Sequence, residues 1–483
     1  MHSHFSHKAA SGAAFTPCGS SDHRESLLFS SGDLRRLIIP LIFEQALAMT
    51  VGMADTVMIS AVGEAAVSGV SLVDMINNLV FAVFSALATG GAVVTSQYIG
   101  AKRPEQARDS AAQLLITVLT LGLSVMLLTI AVKEPLLRLF FGGIEEDVMQ
   151  NALIYFLISA LSFPFLAVYN ACAALFRSMG NAAITLKTAV VVNIVNVIGN
   201  AVGVFALHLG TAGVAIPSLI SRALGALILL LLLRRPGQEI YLKHFLVKPK
   251  WSVISKILYI GIPSGTENGI FQLGRILVVS IIALFGTSQI AANGVANSLD
   301  SVGVIIGQAT SLAMITVIGQ CVGAGSEWQI RFYLKKILLI TYLPSFVLDS
   351  ALILFLNPIL SIFGLSAEAT ALTWKLVVIH TGCGMFLWPL AFVFPNMLRA
   401  CNDVRYTMIV SIASMFLFRI VLSYILGVNF GMGAIGVWIA MIVDWICRIV
   451  FFLLRYRSGK WKKLAGLPAC YRFSASDAGT FSP

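Results

Sequence analysis

The sequence predicts an all-α polytopic membrane protein: twelve transmembrane helices in two six-helix lobes related by a parallel internal repeat. Three observations carry that expectation. Of the 483 residues, 58% are hydrophobic and only 11% charged, against roughly 45–50% and 25% in soluble domains. The stretch Leu37–Gly63, LIIPLIFEQALAMTVGMADTVMISAVG, is almost entirely apolar over 27 residues, and about twenty such residues cross a bilayer as a helix. That stretch then returns 223 positions later as Ile257–Gly286, with Pro40 falling on Pro263, Glu44 on Glu267 and Gly63 on Gly286. The offset persists where QYIGA (Gln97–Ala101) falls on QCVGA (Gln320–Ala324) and Asn77 falls on Asp300. A shared period retaining a proline and an acid marks an internal repeat.

Apolar runs between polar breaks give the elements in order. The first half holds spans at about 37–61, 69–98, 110–132, 151–175, 188–207 and 213–233. The second holds about 257–284, 291–319, 335–356, 369–397, 405–428 and 433–454. Lys and Arg cluster in alternate loops: Lys102, Arg103 and Arg108, then Arg234 to Lys256, then Arg331, Lys335 and Lys336, and finally the tail Arg455–Lys463. The opposite loops carry Lys133 and Arg138 beside Glu145, Glu146 and Asp147. The positive-inside rule then makes both termini cytoplasmic, in a cell (inner) membrane protein. Six spans per half orient both halves alike, so the repeat axis lies along the membrane normal. The expected domains are a disordered cytoplasmic tail (1–32), an amino-terminal lobe (33–235), a cytoplasmic linker (236–256), a carboxy-terminal lobe (257–455) and a basic cytoplasmic tail (456–483).

The same distribution of charge excludes other classes. A net charge of +11 can attract nucleic acid, but here it sits in short loops between apolar spans, so no nucleic-acid partner is expected. The seven cysteines show no paired spacing, and residues 1–32 are too polar for a cleavable signal peptide. His2, His4 and His7 are of metal-ligating type, but nothing around them pre-organises a site. No phosphate-binding glycine loop with its lysine appears, nor any catalytic constellation, so neither ATP nor enzymatic activity is expected. Two equal lobes around a cleft are a common build for an alternating-access transporter.

Charged and amide groups inside the spans are the candidate functional residues, because they are costly in hydrocarbon. Asp55 lies eight residues below Gly63, roughly 12 Å deep. Asn200, Ser218 and Ser221 come to a similar level, roughly 8–12 Å from the outer end. One anion among neutral oxygens could hold a small dehydrated cation, Na⁺ or a proton. Asn193, Asn196 and Asn200 share one helix face; they either join that site or serve as interhelical hydrogen-bond links. Glu44 and Glu267, near the inner mouth, either draw cationic substrates into the cleft or make structural polar contacts. Asp74 and Asp300 could line the cleft from the second and eighth spans. Asp444 and Arg448, at i and i+4, read as a structural ion pair. Arg222 requires a partner inside the membrane, and buried partners are expected for Arg275 and Arg419 too, while Lys375 is placed to snorkel.

The ADT triplet (Ala54–Thr56), the SQYIGA loop (Ser96–Ala101), the GIPSG opening of the seventh span (Gly261–Gly265) and the six-plus-six plan resemble the multidrug and toxic compound extrusion (MATE) family over about residues 33–455. The resemblance implies export of small organic, often cationic compounds by antiport with Na⁺ or H⁺, with no cofactor beyond that ion. It also implies that Asp55 matches the first-helix aspartate used for cation coupling, with Na⁺ one possible occupant. Some relatives carry a second acid on the fifth helix, where this chain has Asn200 four residues after Asn196. Others carry an acid in the carboxy lobe, where this tenth span has Trp374, Lys375, His380 and Cys383. The remaining expectations are membrane lipid as surroundings and a monomeric state. The alternative is a flippase for a lipid-linked precursor on a related two-lobe fold.

Overall fold

The computed structural model describes residues 27–242 and 247–467. His2, His4, His7, Cys18, Lys243 and Cys470 lie outside them, as do most of the amino-terminal tail and the end of the basic tail. The amino lobe is built from α1 (Ser31–Ser60), α2 (Glu64–Gly100), α3 (Pro104–Phe141), α4 (Glu146–Ser178), α5 (Ala182–Ala201, prolonged by a π-helical turn) and α6 (Ala212–Leu233). The carboxy lobe follows with α7 (Trp251–Ala283), α8 (Thr287–Gly303), α9 (Ile305–Gly323), α10 (Glu327–Leu354), α11 (Leu356–Ile362), α12 (Ala367–Trp388), α13 (Pro395–Ala400), α14 (Val404–Ser414), α15 (Gly433–Arg457) and α16 (Lys460–Leu464). The eighth span is α8 with α9, broken for one residue at Val304, and the tenth joins α12 to α13 through a π-helical stretch. Eleven helical segments among the described residues are long and apolar enough to cross a membrane. The 33-residue α7 falls outside that set, because Glu267, Asn268, Gln272 and Arg275 dilute its apolar run.

Several boundaries differ from the sequence reading. The helices outrun their apolar cores: α3 spans 38 residues, since helical hydrogen bonding continues where the chain leaves hydrocarbon. The linker is shorter than expected, because Trp251–Lys256 already belong to α7. The preceding Lys248–Lys250 strip is pinned to α3 by Gln113, which donates to the Lys248 carbonyl and accepts from the Lys250 N–H, both at 2.9 Å. Residues 27–30, expected to be disordered, are held as well. Phe29 is buried, and its N–H donates to the Tyr333 hydroxyl on α10 at 2.8 Å. Ser30 then starts α1 with a capping box to Asp33, satisfying the first free N–H groups of the helix. In the basic tail, α16 seats a fully buried Trp461 on Tyr456.

The glycines that repeat at the 223-residue offset mark turns at the end opposite the basic loops. Gly63 and Gly286 take φ 135° and 96°, and Gly210 and Gly433 both take φ 59°, a region that side-chain-bearing residues rarely enter.

The lobes meet toward the end that carries the basic loops. The first turns of α1 (Leu34, Leu37, Ile38, Leu41) pack with Ala309, Ala313, Met314 and Val317 of α9. Small residues let the backbones of α2, α7 and α9 approach closely. A Cβ on Gly90 would meet the Ile257 carbonyl at 2.6 Å, one on Gly100 the Gln320 carbonyl at 1.9 Å, and one on Gly323 the Gln97 carbonyl at 1.9 Å. Two repeat-related glutamines close the seam: Gln97 donates to the Ala400 carbonyl (2.9 Å) and Gln320 to the Ser178 carbonyl (2.8 Å).

Gly100→Ala is therefore expected to lower stability by about 1–3 kcal/mol through overpacking of the seam. Gly143→Ala, where an added Cβ meets nothing within 4 Å, should be nearly silent. Thermal unfolding of the purified protein reads both. An unchanged midpoint in Gly100→Ala would mean that the lobes do not rest on this contact.

Candidate functional site

Asp55 lies in the second half of α1, beyond the seam, and faces the last turn of α5. Its Oδ1 accepts from Asn200 Nδ2 at 2.7 Å. Asn200 also approaches Asn196 Oδ1 (3.4 Å), and Asn196 Nδ2 donates to Ser218 Oγ on α6 (3.0 Å). Ser221 turns back on the Ser218 carbonyl (3.0 Å). Asn196, Asn200 and Ser221 are buried, whereas Asn193 is half-buried and joins none of these bonds. The structure thus brings Asp55, Asn196, Asn200 and Ser218 into one chain of hydrogen bonds, with Ser221 beside it and Asn193 apart. Asn200 Oδ1 has no donor, leaving a buried neutral oxygen one amide away from the carboxylate.

Asp74 belongs to the same assembly. Its Oδ1 accepts from Tyr155 Oη and Asn77 Nδ2, each at 3.2 Å. The guanidinium of Arg222, one position after Ser221, acts electrostatically on both Asp55 and Asp74. It donates to Ser162 Oγ at 2.7 Å, which supplies the partner that the sequence did not name. Two carboxylates and one guanidinium leave one net negative charge when both acids are ionised. That is the deficit one monovalent cation fills, and removing it from water is costly unless it is filled.

Glu44 and Glu267 occupy equivalent places near the basic end. Glu44 meets Arg177 at 3.4 Å and accepts from Thr185 Oγ1 at 2.7 Å. Glu267 meets Arg399 at 2.7 Å, and Arg399 also donates to Asn396 Oδ1 at 2.6 Å. Each acid holds the arginine that ends the fourth span of its own lobe, next to the carbonyl engaged by the glutamine of the other lobe. Asp300, on α8, contacts His380 Nδ1 of α12 at 2.9 Å.

The remaining buried charges sort by partner. Asp444 is fully buried; it meets Arg448 at 2.9 Å and Arg419 at 3.6 Å, and accepts from Ser414 Oγ at 2.5 Å. Phe271 lies beneath both guanidinium groups, at 4.9 and 5.7 Å from its centroid. Arg275 departs from expectation: it is exposed and enters no ion pair among the described residues. Sequence reading missed the partnerships of Asn77, Tyr155 and Ser162, which have no charge to flag them inside a span, and Asp349, the acid in the second half of α10.

The family model described as MatE matches the chain twice, at residues 40–202 and 263–425. The two matches begin and end 223 positions apart, the offset of the internal repeat, and together cover more than half of the chain. "Probable multidrug resistance protein NorM" of Thermotoga maritima is 26% identical over 90% of this chain and 94% of its own length. Two solved structures share the fold. One, described as "Crystal structure of MATE in the bent conformation", has a TM-score of 0.82 at 19% identity over 90% of this chain and 96% of its own. The other, described as the outward-facing conformation of a multidrug resistance MATE family transporter, has a TM-score of 0.81 at 20% identity over 89% and 96%.

Removing the counter-charge of the buried Asp444 cluster tests its structural role. Asp444→Asn leaves two buried guanidinium groups uncompensated and should cost about 3–5 kcal/mol. Asp444→Asn combined with Arg448→Met should recover part of that loss in thermal unfolding. A single variant as stable as the parent would remove the cluster from the fold's supports.

Proposed function

The chain belongs to the MatE family of multi-pass membrane transporters, and from that premise we propose that it is a secondary active exporter of small organic, cationic compounds. Export is driven by antiport with Na⁺ or H⁺ through alternating access of the two lobes. The protein works as a monomer in the cell (inner) membrane, with both termini cytoplasmic. The observation that carries this reading is the Asp55–Asn200–Asn196–Ser218 chain, held near Asp74 and Arg222 on the far side of the seam from the basic loops.

In this arrangement the lobes are joined at the basic end, and Asp55 and Asp74 lie toward the opposite side, as an outward-open transporter requires. The residues present suit either coupling ion. A carboxylate in hydrocarbon gains proton affinity from desolvation, and Asp55 with the undonated Asn200 Oδ1 also offers the oxygen ligands a hard cation takes. Filling the site removes its net charge and hence the penalty for closing the outer side around it. Return to the inward-open state then parts Gln97 from Ala400 and Gln320 from Ser178. The electrical work depends on the cargo. One inward charge is worth about 2.3 kcal/mol per 100 mV, which supports about a 40-fold gradient of a neutral substrate. Exchange for a monovalent cation is electroneutral, so only the ion's own concentration gradient drives it.

Orientation is checked by a reporter fused after Lys250 or Lys463, which should lie in the cytoplasm because both segments are basic. Finding either outside would reverse the inward and outward assignments. Coupling is checked in proteoliposomes under separately imposed Na⁺ and pH gradients. Asp55→Asn should abolish uphill export while the protein still inserts and binds substrate. Uphill transport at the parental level by that variant, at equal protein content, would sink the amino-lobe coupling site.

A further inference from the structure

At the basic end of the molecule a groove of about 580 Å³ runs between the lobes, lined by Gln97 and Tyr98 of α2, Ser255, Lys256 and Tyr259 of α7, and Asn402. Lys256 Nζ donates to Tyr98 Oη at 3.2 Å, which leaves the phenol hydrogen available to donate in turn. The Arg405 guanidinium stands over the Tyr259 ring at 5.1 Å, so a second cation lies beside the groove. Both cations are exposed, and neither meets a carboxylate among the described residues. Two acids nearby are already matched, Asp109 by Lys250 at 3.0 Å and Asp403 by Arg455 at 2.6 Å. An adjoining cavity of about 320 Å³ shares Tyr98 and Lys256 and adds Arg103 beside Asp109. The internal repeat does not reproduce this place. At the 223-residue offset, Tyr98, Lys256 and Tyr259 correspond to Cys321, Asp33 and Arg36. There Cys321 is buried, and Phe29 packs edge-on against Tyr333, whose hydroxyl feels both Cys321 and Asp33. The start of the chain thus covers one copy of the place, while the other stays open and cationic.

We propose that this groove binds the phosphate of an anionic phospholipid, held by Lys256, Arg405 and the Tyr98 hydroxyl. A phosphodiester brings one negative charge and several acceptor oxygens, which an ammonium, a guanidinium and a phenol satisfy together. Basic pockets between helices at the cytoplasmic face suit such headgroups. The surface one turn deeper selects a lipid over a free anion. Tyr259 and Ile262 on α7 are 39% and 59% exposed, and Ile409 on α14 is 59% exposed. Ile262 follows Tyr259 by three residues and Ile409 follows Arg405 by four, so each continues the helix face of its polar neighbour. Cations followed by an apolar strip match the order of headgroup and acyl chain. Because the walls come from both lobes, a bound headgroup bridges them where the seam is closed. Only the choice of the cytoplasmic leaflet rests on the orientation proposed above; binding is measured in detergent, where neither orientation nor transport enters.

The full-length protein, stripped of lipid in detergent, tests this by thermal unfolding in mixed micelles of increasing phosphatidylglycerol content. A ligand that binds only the folded state raises the midpoint saturably. Phosphatidylglycerol should do so in the wild type, whereas phosphatidylcholine of the same chains, or inorganic phosphate at the same concentration, should not. Lys256→Gln and Arg405→Gln should each raise the half-saturating phosphatidylglycerol content about fivefold, which corresponds to about 1 kcal/mol per cation. The two single variants are read separately, so the test survives if one of them fails to fold. Arg36→Gln combined with Lys335→Gln removes two exposed cations elsewhere at the same end and should leave the half-saturation point within about twofold. Equal stabilisation by phosphatidylcholine, unchanged half-saturation in both groove variants, or an equal loss in the control pair would each overturn the proposal. So would inorganic phosphate acting as well as the lipid, since the groove would then take a soluble anion.

Discussion

Backbone groups in hydrocarbon have no water to turn to, so two helices can meet at backbone distance only where side chains leave room and every freed group finds a partner. The seam between the lobes is built on that constraint. Gly100 rests on the Gln320 carbonyl and Gly323 on the Gln97 carbonyl, while the two glutamine side chains reach past to carbonyls at the ends of the fourth spans. Those ends are in turn fixed by Arg177 and Arg399 on Glu44 and Glu267. Contact, hydrogen bond and ion pair thus form one mechanical series, present twice. Where the polar networks of the two lobes sit relative to each other is set by this series.

The duplication holds for the backbone far better than for the chemistry it carries. Both lobes share the glycine turns, the inner ion pairs and the glutamine closures. Their outer polar centres have diverged, with a carboxylate and amides on one side and a histidine between indoles on the other. The seam is not fully symmetric either. Gln97 gains a second acceptor in Asn402 Oδ1 at 3.1 Å, whereas the corresponding position near Gln320 is Gly180, which has no side chain to offer.

Much of the fold could be read from the sequence, because hydrophobic length and a fixed offset are local or one-dimensional signals. The repeat placed Glu44 with Glu267 and Gly63 with Gly286, and the spans came out in the right order. Partnership was less accessible. Nothing in the spacing of Glu44 and Arg177, 133 residues apart, says that α1 and α4 converge there. The holders of Asp74, Tyr155 and Asn77, were not legible because they look unremarkable in an apolar run. Asp349 escaped notice because its relation to Asp300 and His380 exists only once α8, α10 and α12 are packed. Arg275 shows the opposite limit, since depth along a helix does not say whether a neighbour covers that face.

The start of the chain carries a consequence for biosynthesis. Phe29 and the first turns of α1 bury themselves in the carboxy lobe, and the Phe29–Tyr333 hydrogen bond joins residues 304 positions apart. A ribosome adding about 5–20 residues per second needs roughly 15–60 s to make that interval. Throughout that time the start of α1 lacks most of its final partners. Closure of the molecule is therefore a late event, and the start of α1 is buried only once α9 and α10 have been made.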